Sequence, residues 1–541
     1  MASLRGADLL ARTLALAGVK HLFSLSGNHI MPVYDAALDA GLGIVHVRHE
    51  AAAVHMADAW GRLTGEPGVA LLTGGPGHAN GVSALYTALA SESPMLLLSG
   101  EAPLAERRKG AFQEMSQAAV AAPLVKAAFT ATSAGMLPTD LARAWRQAKS
   151  GRPGPVYLGL PFDVLEAKVD EAACPLPGKA AFAVEPIPFG EATAQAVLAE
   201  LARARRPLVL AGPAMGTDRG RAALIALEGA TGIPALCMES PRGINDPSLG
   251  AFARVLAQAD LVVLLAKRPD FTLRFAQAPA LDAASRFIVL DPDPEALRQA
   301  GDAIGDPARL ALAALADPFE AAAQLAGLAR PARSAWRDEV NSAVQRRPAA
   351  WASIAGKGAL HPAELGRAVQ RHLDAAPEAV LIADGGEFGQ WAQACVNAPT
   401  RLINGPAGAI GSALPFALAA KLARPDASVL ALLGDGTFGF HMAEFDTAVR
   451  AKLPFVAVVG NDACWNAEHQ IQLRAYGAAR AHGCELLPTR YDRVAAALGG
   501  HGEHVERGAD LPAALARAAA SGLPACVNVS IERLPAPAAH A

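Results

Sequence analysis

Short apolar runs alternate with helical stretches along the whole 541-residue chain. This alternation is typical of parallel α/β sheets, in which a helix follows each buried strand and returns the chain to the same sheet edge. A single core stops growing at roughly 250–300 residues, so a chain of this length is expected to form several domains. The pattern therefore predicts an α/β fold with more than one doubly wound parallel sheet.

The predicted strands fall into three blocks, which we interpret as three doubly wound domains. They are residues 1–165, 189–329 and 361–534. We expect a linker over 166–188, a looser segment over 330–360 and a disordered tail after Leu534. Helices are expected at 1–18, 51–62 and 442–452, and strands at 21–25, 43–47, 69–73, 95–99, 156–160, 207–211, 261–266, 287–290, 380–383, 428–433, 455–459 and 525–531. The first and third blocks have similar size and pattern, consistent with an old duplication.

Composition excludes several classes of protein. A formal net charge of −3 with only 18% charged residues gives no basic surface for nucleic acid or for an anionic membrane. Apolar runs are shorter than the ~18–20 residues of a membrane span, and the first residues lack the features of a signal peptide. The six cysteines are scattered and never form a CxxC pair, so we expect neither a zinc site nor a disulfide framework. A reduced, cytoplasmic protein is the expectation.

Two neighbouring strands of the third block end in residues suited to a cation. One apolar strand ends in Gly434-Asp435-Gly436, and the next ends in Asn461. Strands of a βαβ unit are parallel, so Asp435 and Asn461 are expected side by side at their carboxyl ends, where open α/β sheets bind ligands. Mg²⁺ prefers such oxygen ligands and completes its shell with waters and phosphates. Gly-Asp-Gly alone could be an ordinary turn, but the asparagine 26 residues later favours a metal and diphosphate site.

A glutamate in the first block stands in a comparable position. Arg48-His49-Glu50 follows an apolar strand, and Glu50 opens an Ala-rich helix. Taken alone, Glu50 would be an ordinary glutamate stabilised by the helix dipole. It is, however, preceded by a Ser-Gly-Asn-His loop at 26–29 and followed by a Gly-rich loop at 74–81.

The order and spacing of these motifs resemble thiamine-diphosphate-dependent enzymes, in particular the large catalytic subunit of acetolactate synthases. The resemblance covers all three blocks and is most specific in the outer two. It implies an N-terminal pyrimidine-binding domain (1–165), a middle nucleotide-type domain (189–329) and a C-terminal diphosphate-binding domain (361–534).

The resemblance also implies which residues bind thiamine diphosphate and Mg²⁺. The side chains of Asp435 and Asn461 and the carbonyl of Ala463 would bind the metal. A loop formed by Gly408, Ala409 and Ile410 would hold the aminopyrimidine ring, with Ile410 as the wedge that bends the cofactor. The remaining expected contacts are Gly386, Glu387, Phe388, Gly434, Gly436, Thr437, Cys464 and Trp465. Acetolactate synthases usually carry Gln where this chain has Glu387, so the role of Glu387 stays open.

By the same resemblance, Glu50 corresponds to the glutamate that activates the cofactor in this family. A carboxyl paired with N1′ of the aminopyrimidine favours the imino tautomer, whose nitrogen then removes the C2 proton. Gln113 is expected to hydrogen-bond substrate, although a polar residue at a helix start is the alternative.

Other candidate substrate contacts are less specific. Residues 464–470 depart from common relatives in the segment that usually lines the substrate pocket. Within it, Glu468 starts a helix and is either a substrate-specific acid or base or an ordinary helix residue. Asn28, His29 and His78 lie in matching loops and could face substrate, although lone histidines are more often structural.

In the middle block, residues 210–216 resemble the opening of a domain that binds FAD in acetolactate synthases. Some relatives bind ADP or CoA in this region and others bind nothing, so FAD stays open. The resemblance implies a homodimer, or a homotetramer built as a dimer of dimers, with each site shared between two chains; a regulatory subunit also stays open.

The favoured function is decarboxylation or carboligation of a 2-oxo acid. The alternative is a 2-hydroxyacyl-CoA lyase or acyl-CoA decarboxylase, ranked lower because residues 534–541 offer no Lys or Arg for the CoA phosphates. A non-catalytic cofactor-binding protein is a remote third, since Glu50, Asp435 and Asn461 are intact. A dinucleotide-dependent dehydrogenase would need a GxGxxG motif after the first strand, which is missing there.

Overall fold

The computed structural model describes residues 3–329, 335–376 and 378–538. The strands of the described residues form three parallel sheets of six, five and six strands and one two-stranded pair. The ends of the predicted 1–18 helix, 330–360 segment and tail that fall on residues 1–2, 330–334 and 539–541 lie outside the described residues.

Contact density divides the chain into two compact units. The first comprises residues 1–185, 414–425 and 441–454, and the second comprises residues 186–413, 426–440 and 455–541. The first six-stranded sheet lies in the first unit, and the other two sheets lie in the second.

The first sheet and its helices are formed by the N-terminal part of the chain. The strands of this part of the chain, of which β2 to β7 form the sheet, are β1 (Ser3–Arg5), β2 (His21–Leu25), β3 (Gly43–His46), β4 (Gly68–Leu72), β5 (Met95–Glu101), β6 (Ala127–Thr130), β7 (Pro155–Pro161) and β8 (Lys168–Asp170). Its helices are α1 (Gly6–Leu16), α2 (Met31–Asp39), α3 (Glu50–Thr64), α4 (Pro76–Ala90), α5 (Gln117–Ala121), α6 (Leu137–Lys149) and α7 (Phe162–Glu166). The sheet order is β3-β2-β4-β5-β7-β6, and β1 pairs separately with β8 in antiparallel fashion.

The middle sheet has the order β10-β9-β11-β12-β13. Its strands are β9 (Pro207–Ala211), β10 (Ala235–Cys237), β11 (Leu261–Leu265), β12 (Arg286–Asp291) and β13 (Leu310–Leu315), and its helices are α8 (Glu191–Arg203), α9 (Asp218–Thr231), α10 (Phe252–Leu256), α11 (Pro294–Ile304), α12 (Pro318–Leu328) and α13 (Ala335–Gln345). Alternate residues of each central strand enter two separate cores: Leu208 and Leu210 pack in one, Val209 and Ala211 in the other. Both faces are therefore covered, as a doubly wound sheet requires.

The third sheet has the order β15-β14-β16-β17-β19-β18. Its strands are β14 (Ala379–Asp384), β15 (Thr400–Ile403), β16 (Ser428–Gly434), β17 (Val456–Asn461), β18 (His501–Val505) and β19 (Ala525–Ser530). The accompanying helices are α14 (Pro362–Asp374), α15 (Glu387–Cys395), α16 (Ala413–Ala423), α17 (Asp435–His441), α18 (Glu444–Arg450), α19 (Asn466–Tyr476), α20 (Tyr491–Ala497) and α21 (Leu511–Ala520). Strand and helix alternate in all three regions, so the predicted α/β class with doubly wound parallel sheets is confirmed.

Several predicted boundaries are wrong, each for a local reason. The first helix begins at Gly6 because residues 3–5 form β1 against β8. The helix expected at 442–452 is the shorter α18, and a helix not predicted, α17, already begins at Asp435.

The two predicted connections contain packed structure. In the 166–188 segment, Phe182 is 7% exposed and packs edge-on against Trp145, with ring centroids 6.1 Å apart. In the 330–360 segment, α13 buries Trp336 and Val340 in the middle core. Sparse aromatic anchors of this kind do not produce the long apolar runs from which strands and helices were predicted.

Candidate active site

Asp435 lies where β16 ends and α17 begins, in the second unit. Its side chain is 2% exposed, and its Oδ2 atom has no hydrogen-bond partner among the described residues. Burial raises the pKa of Asp435 to about 6, although backbone N–H groups, Gly436 first among them, oppose this shift. A buried carboxylate oxygen without a donor is costly unless a cation approaches it. The geometry therefore fits a metal ligand.

Asn461 ends β17, the strand that pairs with β16. Its Nδ2 donates to the Thr489 carbonyl at 2.9 Å and to Asn528 Oδ1 at 3.1 Å. These two acceptors determine which way the amide faces, because a flipped amide would place its oxygen against them. The Oδ1 atom accepts from Ala463 N at 3.2 Å and keeps a lone pair for a second partner. The orientation fits an oxygen ligand to a cation.

The carbonyl of Ala463 is already engaged. It accepts from Leu486 N at 2.8 Å and from Arg533 Nη2 at 3.0 Å. Ala463 has a φ of +53°, a left-handed conformation that is uncommon for alanine. Both lone pairs of this carbonyl are in use, so Ala463 fits the predicted metal-ligand role less well than Asp435 and Asn461 do.

A cavity of about 60 Å³ gathers most of the predicted cofactor contacts. From the prediction it contains Gly386, Glu387, Phe388, Ile410, Gly434, Asp435, Gly436, Thr437, Cys464, Trp465 and Glu468, and it adds Gly460, Asp462, Asn466 and Ala467. Gly408, Ala409, Asn461 and Ala463 are not in its lining. Glycine is required at Gly436, because a Cβ there would lie 2.7 Å from the Trp465 ring.

Asp384, at the end of β14, connects the glycine-rich loop to the sheet. Its Oδ2 accepts from Gly411 N at 2.9 Å, Ala413 N at 3.0 Å and Ser412 Oγ at 3.3 Å. Burial raises the pKa of Asp384 to about 6 despite these donors. Asp384 thereby fixes the residues directly after Ile410, a role that the sequence prediction missed.

Glu387, whose role was left open, opens α15 beside the cavity. It is 8% exposed and accepts from Gln390 Nε2 at 2.8 Å. Burial raises the pKa of Glu387, and a backbone N–H of Ala536, together with the charges of Arg242 and Arg474, opposes the shift. Glu387 is thus a buried carboxylate with donors, rather than an unpaired charge.

The described part of the tail, residues 535–538, is held by hydrogen bonds at its start, contrary to the prediction of a disordered tail. Asn466 Nδ2 donates to the Leu534 carbonyl at 2.8 Å, and Trp391 Nε1 donates to the Pro535 carbonyl at 2.9 Å. A Pro-rich segment cannot form regular backbone bonds, so these side chains provide its hydrogen bonds instead. The composition of the tail could not predict these contacts, because the donor side chains come from other parts of the chain.

Glu468 and Trp465 lie where α19 begins. Glu468 is exposed and lines the cavity. Trp465 packs edge-on against Phe440, with ring centroids 6.2 Å apart. Asp462 is an unpredicted neighbour: burial, followed by the charge of Asp435, raises the pKa of Asp462 to about 7.

In the first unit, Glu50 is the first residue of α3. It is 9% exposed, and Asn80 Nδ2 donates to its Oε2 at 3.1 Å. His49 caps the helix through its Nδ1, which accepts from Ala51 N at 3.1 Å. The carboxylate is therefore buried and oriented, as a residue that presents one oxygen to a ligand must be.

Gln113 lies in a loop that contacts the Gly-rich turn before α4. Its φ is +58°, and a Cβ on Gly75 would lie 2.8 Å from the Gln113 Cβ. Such strained conformations cluster at functional sites. Gln117, which was not predicted, stabilises the same turn: it accepts from Gly75 N at 2.7 Å and donates to the Gly100 carbonyl at 3.0 Å.

The three candidate substrate residues differ in accessibility. Asn28 is exposed, whereas His29 is 3% exposed and stacks on Phe112 with ring centroids 6.0 Å apart. His78 is fully buried, with its Nδ1 3.0 Å from Ser99 Oγ, and burial lowers its pKa to about 4. His78 therefore packs under the sheet as a neutral ring, away from any open surface.

No described helix is both long and apolar enough to cross a membrane. The described residues also contain no group of three or more His, Cys, Asp or Glu side chains arranged for a metal. A metal at Asp435 would therefore depend on amide, carbonyl and phosphate oxygens as further ligands.

Two protein families match the chain at the regions that contain these sites. "Thiamine pyrophosphate enzyme, N-terminal TPP binding domain" matches residues 4–120, and "Thiamine pyrophosphate enzyme, C-terminal TPP binding domain" matches residues 384–529. Glu50 lies in the first match; Asp435 and Asn461 lie in the second.

Curated relatives extend the similarity over nearly the whole chain. An acetolactate synthase large subunit of Mycobacterium tuberculosis is 34% identical, covering 96% of this chain and 94% of the relative. The 2-hydroxyacyl-CoA lyase 2 proteins of Bos taurus and Homo sapiens are 34% and 32% identical, each covering 92% of this chain and 84% of the relative. The chain therefore belongs to the thiamine-pyrophosphate-dependent enzymes, in the group that includes acetolactate synthases and 2-hydroxyacyl-CoA lyases.

Proposed function

We propose that this enzyme uses thiamine diphosphate and Mg²⁺ to break or form a carbon–carbon bond next to the carbonyl of a 2-oxo acid. The observation that supports this most directly is the position of Asp435, with its unpartnered buried oxygen, and Asn461, with its fixed amide, at the carboxyl ends of adjacent parallel strands. That donor set suits a hard cation with phosphate oxygens as further ligands.

The second unit would hold the metal and the diphosphate. Asp435 and Asn461 would bind Mg²⁺; the Ala463 carbonyl could join them only by giving up one of its present hydrogen bonds. The first turn of α17, which includes Gly436 and Thr437, would present backbone N–H groups to phosphate oxygens. Gly434 and the Gly386–Phe388 segment would complete the diphosphate contacts, with Cys464 and Trp465 beside them.

Residues 408–410 and Glu50 would act on the aminopyrimidine. When bound, thiamine diphosphate supplies a thiazolium carbon that adds to carbonyl groups and stabilises the negative charge that follows. Ile410 would enforce the bent shape of the cofactor by contact, next to Gly408 and Ala409. Glu50 would hold a proton at N1′, and its burial excludes the water that would otherwise compete for that hydrogen bond.

Substrate contacts are proposed for Gln113 and Glu468. Gln113 would donate its amide to the substrate carboxylate or carbonyl, and Glu468 would act as acid or base at the edge of the cavity. Asn28 and His29 remain candidate contacts. We assign no substrate contact to His78, because its ring is fully buried against Ser99 and Tyr157.

We further propose the domain boundaries 1–165, 189–329 and 361–534 and a cytoplasmic enzyme without nucleic-acid or membrane partners. The functional unit would be a homodimer or a dimer of such dimers, in which Glu50 of one chain serves the metal site of its partner. Whether the middle domain binds FAD, ADP or CoA stays open.

The decisive experiment is a panel of 2-oxo acids with purified enzyme, thiamine diphosphate and Mg²⁺, reading CO₂ release and ligation products together. We expect turnover of at least one 2-oxo acid that requires both the cofactor and the metal. Turnover of none of them would reject the 2-oxo acid assignment.

A 2-hydroxyacyl-CoA lyase is the second candidate, favoured by the identity of 30–34% to relatives with that name. Its substrate would be a 2-hydroxyacyl thioester, and cleavage between C1 and C2 would release an aldehyde from C2 and leave C1 as a formyl thioester. Including such thioesters in the same panel, with aldehyde as the readout, distinguishes the two candidates because each predicts product in one arm only.

A further inference from the structure

The turn that precedes Glu50 is held by a carboxylate from a distant part of the sequence. Glu444 Oε1 accepts from Arg48 N at 3.0 Å and from His49 N at 3.1 Å, and its Oε2 lies 3.2 Å from Arg48 N. These two N–H groups lie between β3 and α3, outside the regular hydrogen bonds of either element. Glu50 is the next residue in the chain, so this carboxylate fixes the backbone immediately before it.

Glu444 is itself immobilised. It is the first residue of α18 and is 1% exposed. Thr447 Oγ1 donates to its Oε2 at 2.6 Å. A buried carboxylate is costly unless donors satisfy it, and here the donors are two backbone amides and a hydroxyl.

The other end of α18 also contacts this turn, but there the helix residue donates a hydrogen bond to a backbone carbonyl. Arg450 Nη2 donates to the His46 carbonyl at 2.7 Å, and Arg450 Nε donates to Asp446 at 2.8 Å. The helix thus provides an acceptor for the N–H groups of the turn and a donor for its carbonyl. All of these residues belong to the first unit.

We propose that Glu444 is a positioning residue that presets the orientation of the Glu50 carboxylate. The inference rests on the proposed role of Glu50 and extends it. Among the described residues, Asn80 is the one side-chain donor to Glu50, so the direction of the Glu50 carboxylate depends on the backbone from which α3 begins. Releasing Arg48 N and His49 N would let that backbone rotate and turn the carboxylate away from its ligand.

The chemistry of the substitutions follows from this geometry. In Glu444→Gln the amide oxygen can still accept from both N–H groups, while the NH₂ group faces Thr447 Oγ1, which can accept. Glu444→Ala removes the acceptor altogether. The proposal therefore predicts graded effects, with Glu444→Gln retaining most of the function that Glu444→Ala loses.

The structural test is amide hydrogen exchange of the full-length protein, with and without thiamine diphosphate and Mg²⁺, over peptides that contain residues 46–50. Losing a hydrogen bond worth about 1 kcal/mol should accelerate exchange of the Arg48 and His49 amides by about fivefold or more in Glu444→Ala. Asp260 is a matched control, since it accepts from the consecutive amides Arg205 N at 2.7 Å and Arg206 N at 2.9 Å in the other unit. Asp260→Ala should leave the 46–50 peptides unchanged.

The functional test compares hydrogen exchange at C2 of bound thiamine diphosphate in Glu444→Ala, Glu444→Gln, Glu50→Gln and the Glu444→Ala/Glu50→Gln double variant. Misplacing a reacting group by about 1 Å can cost roughly 100-fold, so Glu444→Ala should slow C2 exchange by about 10- to 100-fold at unchanged cofactor affinity. In the Glu50→Gln background the same change should cost less than about threefold, because no carboxylate remains to be positioned.

The outcomes separate the two levels of inference. Wild-type C2 exchange in Glu50→Gln would reject the role of Glu50 itself. Slow exchange in Glu50→Gln with wild-type exchange in Glu444→Ala would overturn the positioning role alone. Additive losses in the double variant, or unchanged 46–50 peptides in folded Glu444→Ala, would also overturn it.

Discussion

The two six-stranded sheets have the same topology but different chemistry at their carboxyl ends. Numbering the strands of each sheet in chain order gives 2-1-3-4-6-5 for both, with all neighbours parallel. The residues that follow the third strand are Thr73-Gly-Gly in the first sheet and Asp435-Gly, at the start of α17, in the third. The two sheets therefore share a topology and differ in the residues that follow their strands.

The end of the fourth strand shows the same contrast. In the first sheet it is Glu101, which accepts from Tyr157 Oη at 2.8 Å and is paired with Arg107 at 2.8 Å. In the third sheet the comparable position is Asn461, next to the unpartnered oxygen of Asp435. A carboxylate whose oxygens are paired with donors stabilises the fold, whereas a carboxylate with one unpartnered buried oxygen can accept a ligand there. The two sheets therefore differ in residue type at these positions and also in whether the polar atoms there have hydrogen-bond partners.

The largest expected effect comes from removing the unpartnered carboxylate. Asp435→Ala should abolish Mg²⁺-dependent binding of thiamine diphosphate, by more than about 1,000-fold, because the diphosphate loses its metal bridge. Isothermal titration calorimetry with and without Mg²⁺ measures this directly. The exposed Asp302 is a control whose Ala variant should bind normally. If Asp435→Ala still bound thiamine diphosphate tightly and in a metal-dependent way, the unpartnered oxygen of Asp435 would not distinguish the third sheet from the first as a metal site.

The next effect concerns the acid of the first unit. Glu50→Gln should bind the cofactor within a few-fold of wild type but slow C2 hydrogen exchange by about 100- to 10,000-fold, as expected for loss of general acid–base catalysis. Quenched exchange followed by NMR of the released cofactor reports the rate. If Glu50→Gln lost as much cofactor affinity as Asp435→Ala, Glu50 would be needed for cofactor binding, and the expected division between binding and activation would be wrong.

Buried His78 gives the first sheet a pH sensitivity. Its folded pKa of about 4 lies below the ordinary value of 6.5, so the unfolded state binds the proton more readily. Its contribution is fully present above pH 6.5 and is lost as the pH falls toward 4. The loss amounts to about 3 kcal/mol at 1.36 kcal/mol per pKa unit.

Urea unfolding of wild type and His78→Gln at pH 7 and pH 5 tests this expectation. The wild type should lose more free energy of unfolding between the two pH values than the variant does. Equal losses would place the pH sensitivity elsewhere.

The smallest expected effect is a partial recovery of enzyme activity when two inactive variants are combined in one dimer. If Glu50 of one chain serves Asp435 of its partner, a heterodimer of Glu50→Gln and Asp435→Ala has one intact site. Random pairing makes about half of the dimers mixed, so the unfractionated mixture should show roughly a quarter of wild-type activity and the purified mixed dimer about half. Co-expression with two tags, purification of the mixed dimer and an activity assay measure it. A confirmed heterodimer without activity would place both residues of each site in one chain.

How far the sequence could predict the fold depended on strand position. Central strands such as β9 were predicted to the residue, because both faces are buried and the sequence is continuously apolar. The missed strands β6, β10, β13, β15 and β18 are all at sheet edges, where one side is unpaired. Most residues of β6, β10, β13 and β18 are only partly buried, so their sequences lack that apolar signal. The strand β15 is mostly buried but is only four residues long.

In the candidate site, residues in local sequence motifs could be predicted, whereas residues that act through contacts distant in sequence could not. Asp435 and Asn461 were predicted from their places at the ends of neighbouring strands, and Glu50 was predicted from the resemblance of its flanking motifs to a known family. Asp384 and Glu444 were missed, since their function depends on which backbone amides the fold brings to them. The same limit explains the tail after Leu534, whose order depends on the side chains of Trp391 and Asn466.

The anchoring of the Asn461 amide explains why an acid would serve poorly at that position. An aspartate there would be nearly isosteric and in isolation a stronger ligand for Mg²⁺. Its second oxygen, however, would take the place of Nδ2 and face the Thr489 carbonyl and Asn528 Oδ1, both electron-rich. Repulsion between lone pairs would then push the side chain off the position that the amide holds. The Thr489 carbonyl and Asn528 Oδ1 therefore favour an asparagine over an aspartate at the end of β17.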